Sequence, residues 1–230
     1  MFRTSILALG LSVVAGCGII DPDITDFDLS LPEFSYSMDS MQWGVEGDGQ
    51  FPAVPCSPEE DICTEAVAMT CTGEGCAAYC NADSQCQATV QVALNREVNL
   101  LSERPELGTI EDQPILNVSI DSVEYRVNEN TFNFDSPELT IYVAPLNVMS
   151  PSNPEARPIG TVRPIAAGTQ MDWTAIDFTP QGEVNLKEFM GDYKSTFQII
   201  VGAQIEVPPG AELPQGRAVV GVQIKAHAGL

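Results

Sequence analysis

The chain has 230 residues, with 32 acidic side chains against ten basic ones, a formal net charge of −22 and a pI of about 4.1. So acidic a surface lacks the basic stripe that a phosphate backbone requires, which excludes nucleic acid as a partner, and it disfavours lying flat on anionic lipid. The length is enough for one large β domain or two small ones, with a core of their own.

The chain opens Met1-Phe2-Arg3-Thr4, with one positive charge, and Ser5 to Gly16 is uncharged and apolar. That run is shorter than the ~20 residues needed to cross a bilayer. It reads as the charged and apolar regions of an export signal, residues 1–16. The segment ends Val14-Ala15-Gly16-Cys17, an aliphatic residue, two small ones and a cysteine. These residues resemble the lipobox of bacterial lipoproteins, a resemblance confined to the first 17 residues. It implies cleavage before Cys17 and a diacylglyceryl group, usually with an N-acyl chain, on that cysteine. Two or more chains give stable anchoring, so the mature protein is expected to sit on a membrane through its lipid without crossing it. Gly18, rather than aspartate, is similar to the pattern of outer-membrane lipoproteins. The expected location is therefore the outer membrane of a cell envelope, and the covalent lipid is the only cofactor expected.

Residues 17–25 read as a tether and residues 26–230 as the folded part. Asp21, Asp23, Asp26 and Asp28 are close-spaced hard oxygen donors, which makes them weak candidates for calcium. An EF-hand loop starting at Asp21 needs glycine where Asp26 stands and glutamate where Pro32 stands, so that motif fails. Phe27, Leu29 and Leu31 alternate with polar residues, and after Pro32 the alternation resumes at Phe34, Tyr36 and Met38. This predicts an edge strand or two short strands, because proline removes a ladder donor.

A cysteine-rich insertion follows at residues 55–87. Cys56, Cys63, Cys71, Cys76, Cys80 and Cys86 lie within 31 residues. In an exported chain this even number reads as three disulfides, with 15 pairings open. Zinc is the competing chemistry, but there is no Cys-x-x-Cys and the only histidine, His227, is far along the chain. Ser57, Pro58 and Glu60 form a capping-box start for a helix running to about Thr70. Cys76 and Cys80, four apart, suit one face of a second helical turn.

Strand periodicity returns after Cys86. Val90, Val92, Leu94, Val98 and Leu100 share one parity, and Ser102 to Pro114 reads as a loop. Leu116, Val118 and Ile120 alternate, then Val123, Tyr125 and Val127 continue on the other parity. The phase switch at Asp121-Ser122 predicts a bulge or a strand crossing between sheets. Leu139 to Val143, Phe197 to Val207 and Ala218 to Ala226 are further strands, the last with Gln223, Lys225 and His227 outward. Asn185 and Glu188 predict a short helix to Met190, with Val184 stapled against Phe189 and Gly191 as the stop. The pattern is mainly β: an antiparallel β-sandwich of about seven or eight strands with a disulfide-rich, partly helical insertion. A small N-terminal domain ending near Pro105 is the alternative partition.

No catalytic residue stands out. There is no Gly-x-Ser-x-Gly, no His-Glu-x-x-His and no P-loop, and His227 lies on an outward face near the C-terminus. With 32 acidic residues, carboxylate pairs suited to sugar hydrolysis are inevitable and carry no information. Trp43, beside a glycine-rich acidic loop, and Trp173, after Gly168 to Asp172, are candidate contacts for a sugar or a partner, with core packing as the competing role. The expectation is a non-enzymatic, lipid-anchored envelope protein acting as an assembly, adhesion or accessory subunit through protein contacts. The alternatives are a β-sandwich that binds carbohydrate or calcium, and a carboxylate-based envelope hydrolase.

Overall fold

A computed structural model describes residues 26–46, 49–57, 62–73, 75–109 and 116–229. Cys17, Asp21 and Asp23 lie outside the described residues, as does the stretch from Pro58 to Asp61. Eleven strands form among the described residues: β1 (Asp26–Asp28), β2 (Phe34–Asp39), β3 (Cys76–Cys80), β4 (Cys86–Val98), β5 (Asn117–Asn130), β6 (Leu139–Pro145), β7 (Arg157–Val162), β8 (Met171–Ala175), β9 (Asp177–Phe178), β10 (Phe197–Val207) and β11 (Arg217–Gly229). Three helices accompany them, α1 (Cys63–Ala66), α2 (Leu100–Glu103) and α3 (Gly182–Gly191). No helix among them is long and apolar enough to cross a membrane.

The strands make two antiparallel sheets. The first runs β1-β11-β5-β8, with β2 beside β1 on the same flank of β11; the second runs β3-β4-β10-β6-β7-β9. Pro32 breaks the flanking strand as its missing donor requires, yet Leu29 and Leu31 still donate to Ala226 and Ile224 of β11. Between the sheets lies one large apolar core in which Tyr125, Phe34, Phe197, Ile141 and Ile159 are fully buried. The expected phase switch is a bulge: the β5–β11 register shifts between Lys225 and Ala226, whose partners are Ser122 and Ile120, leaving Asp121 as the extra residue.

The strand count exceeds the expected seven or eight for identifiable reasons. β7 begins at Arg157, inside the end of a proline-containing stretch, Ser150 to Pro158, expected as loop, and also carries Gly160. Pro158 is accommodated where the β6–β7 register shifts, and Gly160 admits the neighbouring chain, since a β-carbon there would lie 2.7 Å from the Asp177 carbonyl oxygen. β8 and β9 are one passage in which the chain leaves the first sheet and joins the second across buried Ile176.

The helices depart from expectation too. Among the described residues, the helix predicted from Ser57 to Thr70 covers Cys63–Ala66 and gives way to turns before Thr70. Cys76 and Cys80 are not on a helical turn but on β3, where pairing with β4 and two disulfides override local helical spacing. The stretch from Ser102 to Pro114, expected as loop, holds the end of α2 and a 3-10 turn over Pro105–Thr109. α3 begins three residues before Asn185. That asparagine is not a cap: it is buried within the helix and its side-chain amide donates to the Pro158 carbonyl at 3.0 Å. Val184 is exposed and forms no staple, while Phe189 packs on Phe197 with ring centroids 5.9 Å apart.

Candidate functional site

The fold has two distinct ends, set by β11. At its C-terminal end Asp26, the first described residue, pairs with Gly229, and Arg104 of the α2 segment joins it by bonding Asp28 at 3.1 Å. At its N-terminal end Arg217 pairs with Asp39, and the chain next to Asp39 builds a cap. Asp39 accepts from the Met41 N–H at 3.0 Å and starts a 3-10 turn that delivers Trp43. Trp43 is 7% exposed, its ring 5.4 Å from that of Phe132 and 6.1 Å from that of Phe134. The structure therefore places this tryptophan in the core beneath the cap.

The cysteine-rich segment is fastened to the chain that leaves Trp43. Val45 bridges to Cys71, the Thr72 N–H donates to the Gly44 carbonyl at 2.7 Å, and Pro55 bridges to Gln85. Three disulfides staple it: Cys56–Cys80, Cys63–Cys86 and Cys71–Cys76. The sulfurs of Cys56, Cys63 and Cys86 lie within 4.8 Å of one another, a spacing that would suit a metal, but each is in a disulfide and offers no thiolate. Cys63 and Cys86 are buried against the main core, so the cap is continuous with it. Its outer surface carries two bare apolar side chains, Met41 at 88% and Met69 at 91% exposure.

The other candidates are scattered. Trp173 is not on a loop but on β8, 37% exposed, with the Arg126 guanidinium 4.8 Å from its ring centre. Arg126 also pairs with Glu33. Glu33 reaches over Gly221 of β11, where a β-carbon would clash with its carboxylate. The two tryptophans thus sit in different surroundings and form no joint site. Asp26 lies in β1, and Asp28 is committed elsewhere. Hydrogen bonds from Ser30 hold the Asp28 carboxyl below its ordinary range, and the Arg104 guanidinium adds to the effect. A cation would have to displace that arginine.

His227 Nδ1 lies 3.0 Å from Asp121 Oδ1, and Ser119 is the cross-strand partner of His227, so a serine, a histidine and an aspartate share one open sheet face. No hydrogen bond joins Ser119 to His227. The same face carries paired charges, Arg217 with Glu129 at 2.7 Å and Lys225 with Glu124 at 2.6 Å. Sequence reasoning did not foresee this trio because it depends on the bulge that brings Asp121 toward β11. No family model matches the chain, and no curated protein matches its sequence.

Proposed function

We propose that the protein is a lipid-anchored, non-enzymatic component of a bacterial outer membrane that holds its disulfide-stapled cap away from the lipid and contacts another envelope protein there, as an assembly, adhesion or accessory subunit. The supporting observation is the polarity of the fold. Asp26, the described residue nearest Cys17 in the chain, lies beside Gly229, whereas the cap grows from the Asp39–Arg217 end of the same strand. The 13 residues of β11 span about 40 Å at ~3.3 Å per residue. A lipid on Cys17 and the tether over residues 17–25 would therefore hold one end at the membrane and present the other. The disulfides and the Trp43 cluster fix the cap's shape in advance, which lowers the ordering cost of binding. Exposed methionines such as Met41 and Met69 adapt readily to an apolar partner surface.

The test is photo-crosslinking in intact cells, with the reactive residue at Met41, Met69 or, as a control near the other end, Val184. The expected result is one envelope protein captured in stoichiometric yield from Met41 and Met69, absent from Val184 and lost in Cys63→Ala/Cys86→Ala. Equal capture from Val184, or none from the cap, overturns the docking surface. Cys17→Ser should leave precursor or soluble protein; acylated, membrane-bound Cys17→Ser protein overturns the anchor.

A further inference from the structure

The outer face of the second sheet is divided. Over one part lies the loop spanning 146–156, and Ala144, Val148, Ala156 and Ile200 form a small buried apolar cluster beneath it. Beyond Gly202 the face is open. There Gln204 of β10 and Gln91 of β4 stand directly opposite one another, both exposed, with Gln91 Nε2 donating to Gln204 Oε1 at 2.9 Å. That bond leaves Gln91 Oε1 as an acceptor and Gln204 Nε2 as a donor toward solvent. Glu138, exposed just before β6, adds a carboxylate on the far side of Gln204. The wall toward the loop is apolar. Pro151 and the Tyr142 ring both close on Gly202, where a β-carbon would lie 2.9 Å from Pro151 Cβ and 3.3 Å from Tyr142 Cε2. Together these groups line a hollow of about 380 Å³.

We propose that this hollow binds a neutral oligosaccharide. A sugar hydroxyl both donates and accepts, which matches an amide pair that presents one free acceptor and one free donor beside a carboxylate. Neighbouring strands are about 4.8 Å apart, so polar groups on β6, β10 and β4 recur at roughly the length of one pyranose ring. The Tyr142 ring and Pro151 offer an apolar flank to the C–H face of that ring. Charge narrows the class: no basic side chain lines the hollow, and a chain of net charge −22 repels uronates and sulfated glycans. The site is separate from the cap and includes neither tryptophan, and it does not depend on the lipid anchor.

The test is titration calorimetry of the mature chain, in a detergent without a sugar head group, against cellotetraose, maltotetraose and chitotetraose, with tetragalacturonate as the anionic control. The expected result is saturable binding of at least one neutral sugar and none of the anion. Gln91→Leu/Gln204→Leu should weaken that binding about tenfold or more, the equivalent of about 1.4 kcal/mol, while Trp173→Ala leaves it unchanged. Failure of all three neutral sugars overturns the proposal, as does preference for tetragalacturonate. If the double variant loses its thermal transition, Gln204→Glu, which keeps the shape and replaces the free donor by a carboxylate, serves in its place. Undiminished binding by a folded variant overturns the site.

Discussion

The backbones of Gly44 and Gly73 are in direct contact: a β-carbon on Gly44 would lie 2.1 Å from the Gly73 α-carbon, and one on Gly73 would lie 2.6 Å from that of Gly44. This contact clamps the cap to the chain leaving Trp43, and the Thr72 and Gly73 N–H groups seal it by donating to the Gly44 carbonyl. Gly73→Ala therefore forces the two segments apart and should cost about 1–3 kcal/mol by overpacking. Gly44→Ala should cost more, because Gly44 also has φ of +67°, where a side chain is strained. Gly108→Ala, with nothing near its β-carbon position, is the control and should be close to neutral. Urea denaturation measures all three; a neutral Gly73→Ala would mean that the cap is not held by this contact.

The disulfides should differ in weight and in accessibility. Cys63–Cys86 spans 23 positions and its two residues are buried, whereas Cys71–Cys76 spans five and is only partly buried. Closing the longer loop is worth about 3 kcal/mol in the chain-entropy model. Removing its buried sulfurs adds a cavity cost, so Cys63→Ala/Cys86→Ala should be the most destabilising pair. Under native conditions a mild reductant followed by alkylation should label Cys71 and Cys76 before Cys63 and Cys86. Peptide mapping that finds Cys63 and Cys86 labelled first would contradict this placement.

The residues that announced themselves in the sequence are those whose signal is local. Pro32 marks the break in the flanking strand, and the parity change around Asp121 marks the bulge. The six cysteines announce three bridges, but the pairing depends on β3 lying against β4, which no spacing reveals. The alternation was present in Cys76-Ala77-Ala78-Tyr79-Cys80, with Ala77 and Tyr79 outward, but a four-residue cysteine spacing suits a helix equally well. β7 was hidden by Pro158 and Gly160, which mark turns in isolation and fit a strand only because β6 shifts register there. The candidate sites were harder still. Gln91 and Gln204 are 113 residues apart and meet only through the β4–β10 register, and the outer-face burial of Ile200 depends on the loop over 146–156.

The two tryptophans provide an optical check on the cap. Trp43 is buried among Phe132 and Phe134, whereas Trp173 is a third exposed beneath Arg126. Acrylamide should quench one emitting component and spare a blue-shifted one. Trp43→Phe should remove the spared component and Trp173→Phe the quenched one. The energetic asymmetry should be as large: Trp43→Ala is expected to cost about 3–5 kcal/mol through lost core volume. Trp173→Ala forfeits mainly an exposed cation–π contact of about 0.5–1 kcal/mol. Equal quenching of both components would mean that the aromatic cluster under the cap is open to solvent.

Alkaline pH should loosen the fold through Tyr36. Its ring is 4% exposed in the core, its hydroxyl faces the Ile199 carbonyl at 3.5 Å, and burial pushes its phenol well above the ordinary value of 10.0, against a smaller lowering by Arg96. Burial raises the Tyr125 phenol in the same direction. A raised folded-state pKa means that the stabilisation is fully present below the unfolded value. Above it the unfolded chain releases protons that the folded chain keeps, so stability falls as pH rises from 10.0 toward the folded-state value. Tyr36 contributes a slope of about 1.4 kcal/mol per pH unit in that window. Tyr36→Phe should cost about 1 kcal/mol or less near neutral pH, because only one long hydrogen bond is lost. One unit above the ordinary phenol value the variant should match or exceed the parent. Denaturation midpoints at the two pH values give the comparison; a variant whose stability falls as steeply as the parent's would show that Tyr36 ionises freely in the folded protein.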